Sequence, residues 1–112
     1  MTLTKVRKFV LSLAEVTEEP HFNRTSFRRG GRIFATALPD GKILNVMLGE
    51  AIREPALAIY SDCMEKLFWG KKVMGLQIVL DKASGLVVEE LLRKAWEEKA
   101  PGPARRPGGK PR

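Results

Sequence analysis

The chain has one cysteine, Cys63, and one histidine, His21. A lone cysteine excludes an internal disulfide, and the pair is too small a set for a cysteine–histidine zinc site. A metal centre would need several carboxylates as well, and none falls at ligand-like spacing. Long apolar runs are also missing, since nothing approaches the roughly 18–20 residues of a membrane helix. Phe9 to Ala14, preceded by Lys5, Arg7 and Lys8, is apolar enough to suggest a signal peptide. Glu15, Glu18 and Glu19 follow, however, where small residues should mark a cleavage site. The expectation is a cytoplasmic protein with no membrane partner. Glycines occur singly or as the pairs Gly30-Gly31 and Gly108-Gly109, so neither common phosphate-cradling loop is present.

Catalytic groupings are equally scarce. Cys63 and His21 are a conceivable nucleophile and base. The plainer reading makes Cys63 a small buried residue of the second helix and His21 a loop residue beside Pro20. Glu18 and Glu19 read as solvated loop charge, because adjacent loop carboxylates diverge. The chain is therefore read as a non-enzyme without a cofactor or metal.

What the sequence has is the composition of an ordinary globular protein, with 44% hydrophobic and 29% charged residues in 112. That length suits one domain. The net charge is +7, and four of those charges (Arg105, Arg106, Lys110 and Arg112) lie in the segment from Ala100 onward, which has no acid. This tail holds four prolines and three glycines in thirteen residues and is expected to be disordered. Residues 1–99 carry 16 basic and 13 acidic side chains, a net of +3, and are read as a single α+β domain. Their charge is uneven. Arg24, Arg28, Arg29 and Arg32 fall within nine residues that include no carboxylate, and Lys66, Lys71 and Lys72 form a second cluster.

Hydrophobic spacing supplies the elements. Leu3, Val6, Phe9, Val10 and Leu13 recur at helical intervals, so residues 3–14 should form a helix capped by Thr2 or Thr4. Pro20 stops any continuation, and Thr17 to Asn23 reads as a loop. Thr25–Arg28, Arg32–Ala37 and Ile43–Leu48 read as strands joined by turns at Gly30-Gly31 and Pro39-Asp40-Gly41-Lys42. A second helix follows from Gly49 to about Asp62, either kinked at Pro55 or starting near Glu54. A short strand at Leu67–Trp69 turns through Gly70-Lys71-Lys72. Met74, Leu76, Ile78 and Leu80 alternate as a further strand. Ser84 should cap a last helix with the stripe Val88, Leu91, Leu92, Ala95 and Trp96. The order α-β-β-β-α-β-β-α implies an antiparallel sheet with helices on one face.

Two turns stand out chemically. Arg28-Arg29-Gly30-Gly31-Arg32 sets three guanidinium groups at the tip of a β-ribbon, and guanidinium forks suit phosphate oxygens. Phe68-Trp69-Gly70-Lys71-Lys72 sets an aromatic beside two ammonium groups, a combination able to stack on or wedge between bases. The alternative is a pair of charged tips that protect edge strands, with Trp69 packed in the core. Exposure of Leu67, Phe68 and Trp69 beside Lys71 and Lys72 would favour nucleic acid. Exposure beside acids would favour a protein partner.

Several blocks resemble the MmcQ/YjbR-like family. They are Thr17-Glu18-Glu19-Pro20-His21-Phe22, Arg24-Thr25-Ser26-Phe27-Arg28 and Gly31-Arg32-Ile33-Phe34-Ala35. Asn45-Val46, Trp69-Gly70-Lys71 and Leu91-Leu92 with Ala95-Trp96 are similar to later blocks. The resemblance covers roughly Leu3 to Ala100. It departs at Asn23, where the family has a glycine, and at Pro55; the basic tail lies outside the pattern. It implies a two-layer, secretion-chaperone-like α-β(3)-α-β(2)-α fold and DNA binding through two β-hairpin wings. On this chain the wings are the turns at Arg28–Arg32 and Trp69–Lys72, with Arg24 alongside. A protein-interaction module, possible as a homodimer, is the competing expectation for such a fold.

Overall fold

The computed structural model describes residues 1–101. Helix α1 (Leu3–Leu11) starts at Thr2, whose hydroxyl accepts the Lys5 N–H at 3.2 Å. Strands β1 (Val16–His21), β2 (Arg24–Arg29), β3 (Arg32–Ala37) and β4 (Ile43–Met47) follow, then helix α2 (Glu50–Ile59). Strands β5 (Met64–Trp69) and β6 (Lys72–Val79) precede helix α3 (Gly85–Glu98). All six strands join one antiparallel sheet in the order β1-β2-β3-β4-β6-β5. Helices α1 and α3 pack on each other and against β1, β3 and β4, while α2 lies against β5 and β6.

The α+β class and antiparallel sheet agree with the sequence reading, but the strand count does not. The segment expected to be a loop, Thr17 to Asn23, is mostly strand β1, so the order is α-β(4)-α-β(2)-α. Pro20 misled because proline breaks helices and central strands. Strand β1 sits at the sheet edge with β2 as its one neighbour, where a missing N–H is tolerated. Glu18 and Glu19 are therefore adjacent strand residues whose side chains alternate between faces. Helix α2 also runs through Pro55. Both Pro55 and Ala51, whose carbonyl loses its helical donor, are exposed, so water can take that place. Cys63 lies beyond α2 in the turn before β5, buried as expected. Ser84 precedes α3 at the capping position but makes no side-chain cap.

One face of the sheet carries the core. Phe27, Ala35, Ala37, Leu44, Val46, Leu76 and Ile78 are essentially inaccessible and meet Val6 and Val10 of α1 and Val88, Leu92 and Ala95 of α3. Burying each large apolar side chain contributes about 1.5–3 kcal/mol. Glu18, opposite Phe27 in the register, marks the same face: its carboxylate accepts from Arg7 of α1 at 2.8 and 3.0 Å and from the Thr25 hydroxyl at 2.8 Å.

The opposite face has no helix on it and carries a polar row in register across every strand: Glu19, Ser26, Thr36, Asn45, Gln77 and Glu65. Ser26 donates to the Glu19 carbonyl at 2.8 Å, and Asn45 donates to the Thr36 hydroxyl at 3.2 Å.

Two substitutions test this arrangement. A Cβ at position 75 would lie 1.9 Å from the Val46 carbonyl oxygen, so Gly75→Ala should destabilise the fold by about 3 kcal/mol, read as a lower urea midpoint. The Arg7 guanidinium, aided by Thr25, holds the Glu18 carboxyl below its ordinary value of 4.5. A depressed carboxyl adds stability above that ordinary value, and the contribution fades as pH falls through the folded-state value. Because Arg7 is partly exposed, Glu18→Gln should cost only ~0.5–1.5 kcal/mol at pH 7. Urea titrations of variant and parent should converge as the medium becomes more acid than pH ~4.

Candidate nucleic-acid interface

The two hairpins singled out by charge have the same construction. In β2–β3 the pairs from the tip inward are Arg29 with Arg32, Arg28 with Ile33 and Phe27 with Ala35, which leaves Phe34 as an extra residue. In β5–β6 they are Trp69 with Lys72, Phe68 with Val73 and Leu67 with Gly75, which leaves Met74 extra. Each hairpin thus closes on a two-residue loop and bulges on its returning strand. A bulge tightens the twist and re-aims the residues beyond it. The loops need positive φ, supplied by Gly30 (58°) and Gly31 (82°) in one and Gly70 (62°) in the other.

The tips lie at the same end of the sheet. Met47, the last residue of β4, pairs with Gly75 close to the start of β6, and β4 separates the two hairpins. Three strand intervals divide the hairpin midlines, or about 14 Å at ~4.8 Å each.

The cations at these tips are not equivalent. Arg29 is withdrawn into the structure: its side chain is 12% exposed, and it donates to Glu15 Oε1 at 3.1 and 3.2 Å and to the Trp96 carbonyl at 3.0 Å. Its guanidinium carbon also lies 3.8 Å from the centre of the Trp96 ring, while the Trp96 indole donates to the Ala14 carbonyl at 2.8 Å. This cluster ties β2 to the end of α3 and to the turn after α1, so the expectation of three free guanidinium groups at this tip fails for Arg29. Arg28 is half-buried and donates to the Ser26 hydroxyl at 2.9 Å. Arg32, Lys71 and Lys72 are exposed at the tips. Arg24, expected beside them, is half-buried opposite His21 at the other end of β2, because an extended strand carries it five residues from Arg29. None of the four has an ion-pair partner among the described residues.

Trp69 is not a core residue. It is 76% exposed, and Phe68 beside it is 57% exposed, next to the ammonium groups of Lys71 and Lys72. The bulge at Met74 explains why. Both aromatics lie on the tip side of it, where a bulge re-aims the side chains.

Charge and turn chemistry gave no sign of the cleft that these aromatics border. It has a volume of about 740 Å³ and opens on the helix-free face. Thr36, Asn45 and Met47 lie along its floor, Leu67, Phe68 and Trp69 line it from β5, and Phe22 and Arg24 line it from the β1–β2 turn. Phe22 is 93% exposed and has a φ of 58°, a costly conformation for a bulky side chain. No carboxylate lines the cleft, whereas Arg24 and Lys99 do. Arg24 and the Phe68-Trp69 pair are legible in the sequence; Phe22 and Lys99 are not, because the chain places them far from Trp69 and only the fold brings them to the same cleft.

No group of histidine, cysteine and carboxylate side chains among the described residues could hold a metal ion. No helix among them is long and apolar enough to cross a membrane. The basic tail from residue 102 onward lies outside the described residues. No family model, curated protein or solved structure matches the chain.

The differing duties of the arginines are testable by chemical denaturation. Arg29→Ala removes a cation–π contact and charge-assisted hydrogen bonds and should cost about 1–3 kcal/mol. Arg32→Ala, at an exposed position without a partner, should change stability by less than about 0.5 kcal/mol.

Proposed function

We propose that this protein binds DNA by its phosphate backbone through the ends of the β2–β3 and β5–β6 hairpins. The observation that carries the reading is that two hairpins of matching construction end side by side with Arg32, Lys71 and Lys72 exposed and unclaimed by any internal carboxylate among the described residues. The spacing of about 14 Å between hairpin midlines is on the scale of the ~12 Å major groove, so both tips can reach one stretch of duplex. Arg28, half-buried one residue in from the tip, extends the contact. Arg29 serves indirectly by holding the β2–β3 ribbon against α3.

The similarity of the sequence to the MmcQ/YjbR-like family, and the α+β architecture with paired hairpins, support the same reading. Arginine and lysine contacts to phosphate carry no base information, so binding should be weakly specific and strongly salt-dependent.

Four phosphate contacts, from Arg28, Arg32, Lys71 and Lys72, correspond to a log–log salt slope of about −3 to −4 on duplex DNA. Fluorescence anisotropy of a labelled duplex, titrated with the full chain at several salt concentrations, measures it. Combining Arg32→Ala, Lys71→Ala and Lys72→Ala should flatten the slope by roughly two to three units. The tail is common to both proteins, so its contribution cancels in the difference. An unchanged slope would remove the hairpin tips from the interface.

A further inference from the structure

We infer that the cleft on the helix-free face receives unstacked bases of a single-stranded DNA segment whose phosphates run past the two hairpin tips. This rests on the proposed DNA binding and names the form of DNA that the same site prefers. Duplex DNA meets the tips alone, because its bases are stacked and paired and have no route into a concavity. The cleft's chemistry suits a flat, heterocyclic, negatively tethered ligand.

Its volume of about 740 Å³ is within the 300–1,000 Å³ range of small-ligand pockets. Its accessible aromatics, Phe22, Phe68 and Trp69, are exposed by more than half, so their faces are available for stacking. Such stacking accepts any base, because every base has a π face. Charge complementarity points the same way: Arg24 and Lys99 line the cleft without a carboxylate, and Lys71 and Lys72 follow Trp69 along the hairpin.

A further observation concerns the floor. Asn45 is 95% buried by residual exposure of 5%, lines the cleft, and has an Oδ1 with no hydrogen-bond partner. A buried acceptor without a donor is unfavourable, and the edge of every base carries an N–H group able to supply one. Phe22 adds a backbone argument. Glycine or asparagine would adopt its positive φ at lower cost, yet an aromatic ring occupies the position and borders the cleft.

The test compares four ligands against the full chain by anisotropy and by tryptophan fluorescence. They are an oligothymidylate, a duplex of equal length, an abasic strand of equal length, and thymidine monophosphate. The oligothymidylate should bind at least about tenfold more tightly than the duplex or the abasic strand and should quench Trp69. Trp69→Ala, at an exposed position, should weaken the oligothymidylate by about 5- to 140-fold, the range expected for one lost stacking contact. The duplex, which offers no unstacked base to the ring, should lose clearly less affinity than the oligothymidylate.

Equal affinity for the base-bearing and abasic strands would overturn the inference while leaving the hairpin contacts standing. So would equal losses on strand and duplex, or a free nucleotide binding as tightly as the strand. A dimer by sedimentation that Trp69→Ala dissociates would also overturn it, since a second copy would then cover the cleft. Loss of salt-dependent binding to every ligand form would instead remove the underlying reading. An Arg32, Lys71 and Lys72 triple variant that binds duplex normally would do the same.

Discussion

Three helices supply one face of this sheet with a hydrophobic layer, and the other face has to meet water. That constraint governs most of what is unusual in the molecule. A six-stranded sheet presents as much side-chain area on its uncovered side as on its core side, and alternation sends every second residue there. The chain answers with a transverse polar row from Glu19 to Glu65. Within it, Ser26 and Thr36 find partners in neighbouring strands, whereas Asn45 keeps one half of its amide unpaired. Apolar and aromatic residues beside the row give the concavity its walls. An antiparallel sheet with one solvated face is ordinary; a solvated face that gathers three exposed aromatics and excludes carboxylates from its lining is less so.

Internal acids decide which cations are available. Arg7 pairs with Glu18, Arg29 with Glu15 and Arg53 with Glu54, while Arg93 and Lys94 share Glu90. Each pair joins elements or braces a helix, and each lowers the charge available to a partner. Arg32, Lys71 and Lys72 keep theirs, and they share the hairpin ends. Clustering along the sequence therefore overstated one hairpin. Arg29 belongs to a structural knot with Trp96, whose ring it covers at 3.8 Å. Its neighbour across the turn, Arg32, is exposed and has no ion-pair partner among the described residues.

Much of the fold was readable because period and turn chemistry are local. Arg32–Ala37 as a strand, the glycine turns, and the stripe of Val88, Leu91, Leu92 and Ala95 in α3 all follow from short-range rules. Edge position is not local. Nothing between Thr17 and His21 announces that β2 will lie beside it, so proline was weighed as a breaker. Bulges are equally invisible, since the extra residue at Phe34 or Met74 is defined by the partner strand. For the site, the sequence exposed the charges and the Phe68-Trp69 pair. It could not reveal that Phe22, nearly fifty residues away, borders the same cleft.

Three positions that break local rules border the helix-free cleft. Phe22 sits in a conformation suited to glycine, Met74 is the unpaired residue of a bulge, and Asn45 carries a buried acceptor without a donor. A sequence under selection for stability alone has cheap remedies for each: glycine in the turn, a regular ladder, an apolar residue in the row. Departures of this kind ordinarily mark places where geometry serves something besides folding. Departures elsewhere have structural uses: Glu15, with a φ of 65°, pairs with Arg29, and the bulge residue Phe34 is buried in the core. Those at Phe22, Met74 and Asn45 have no such internal use among the described residues, and they meet on the side of the sheet where exposed aromatic rings converge.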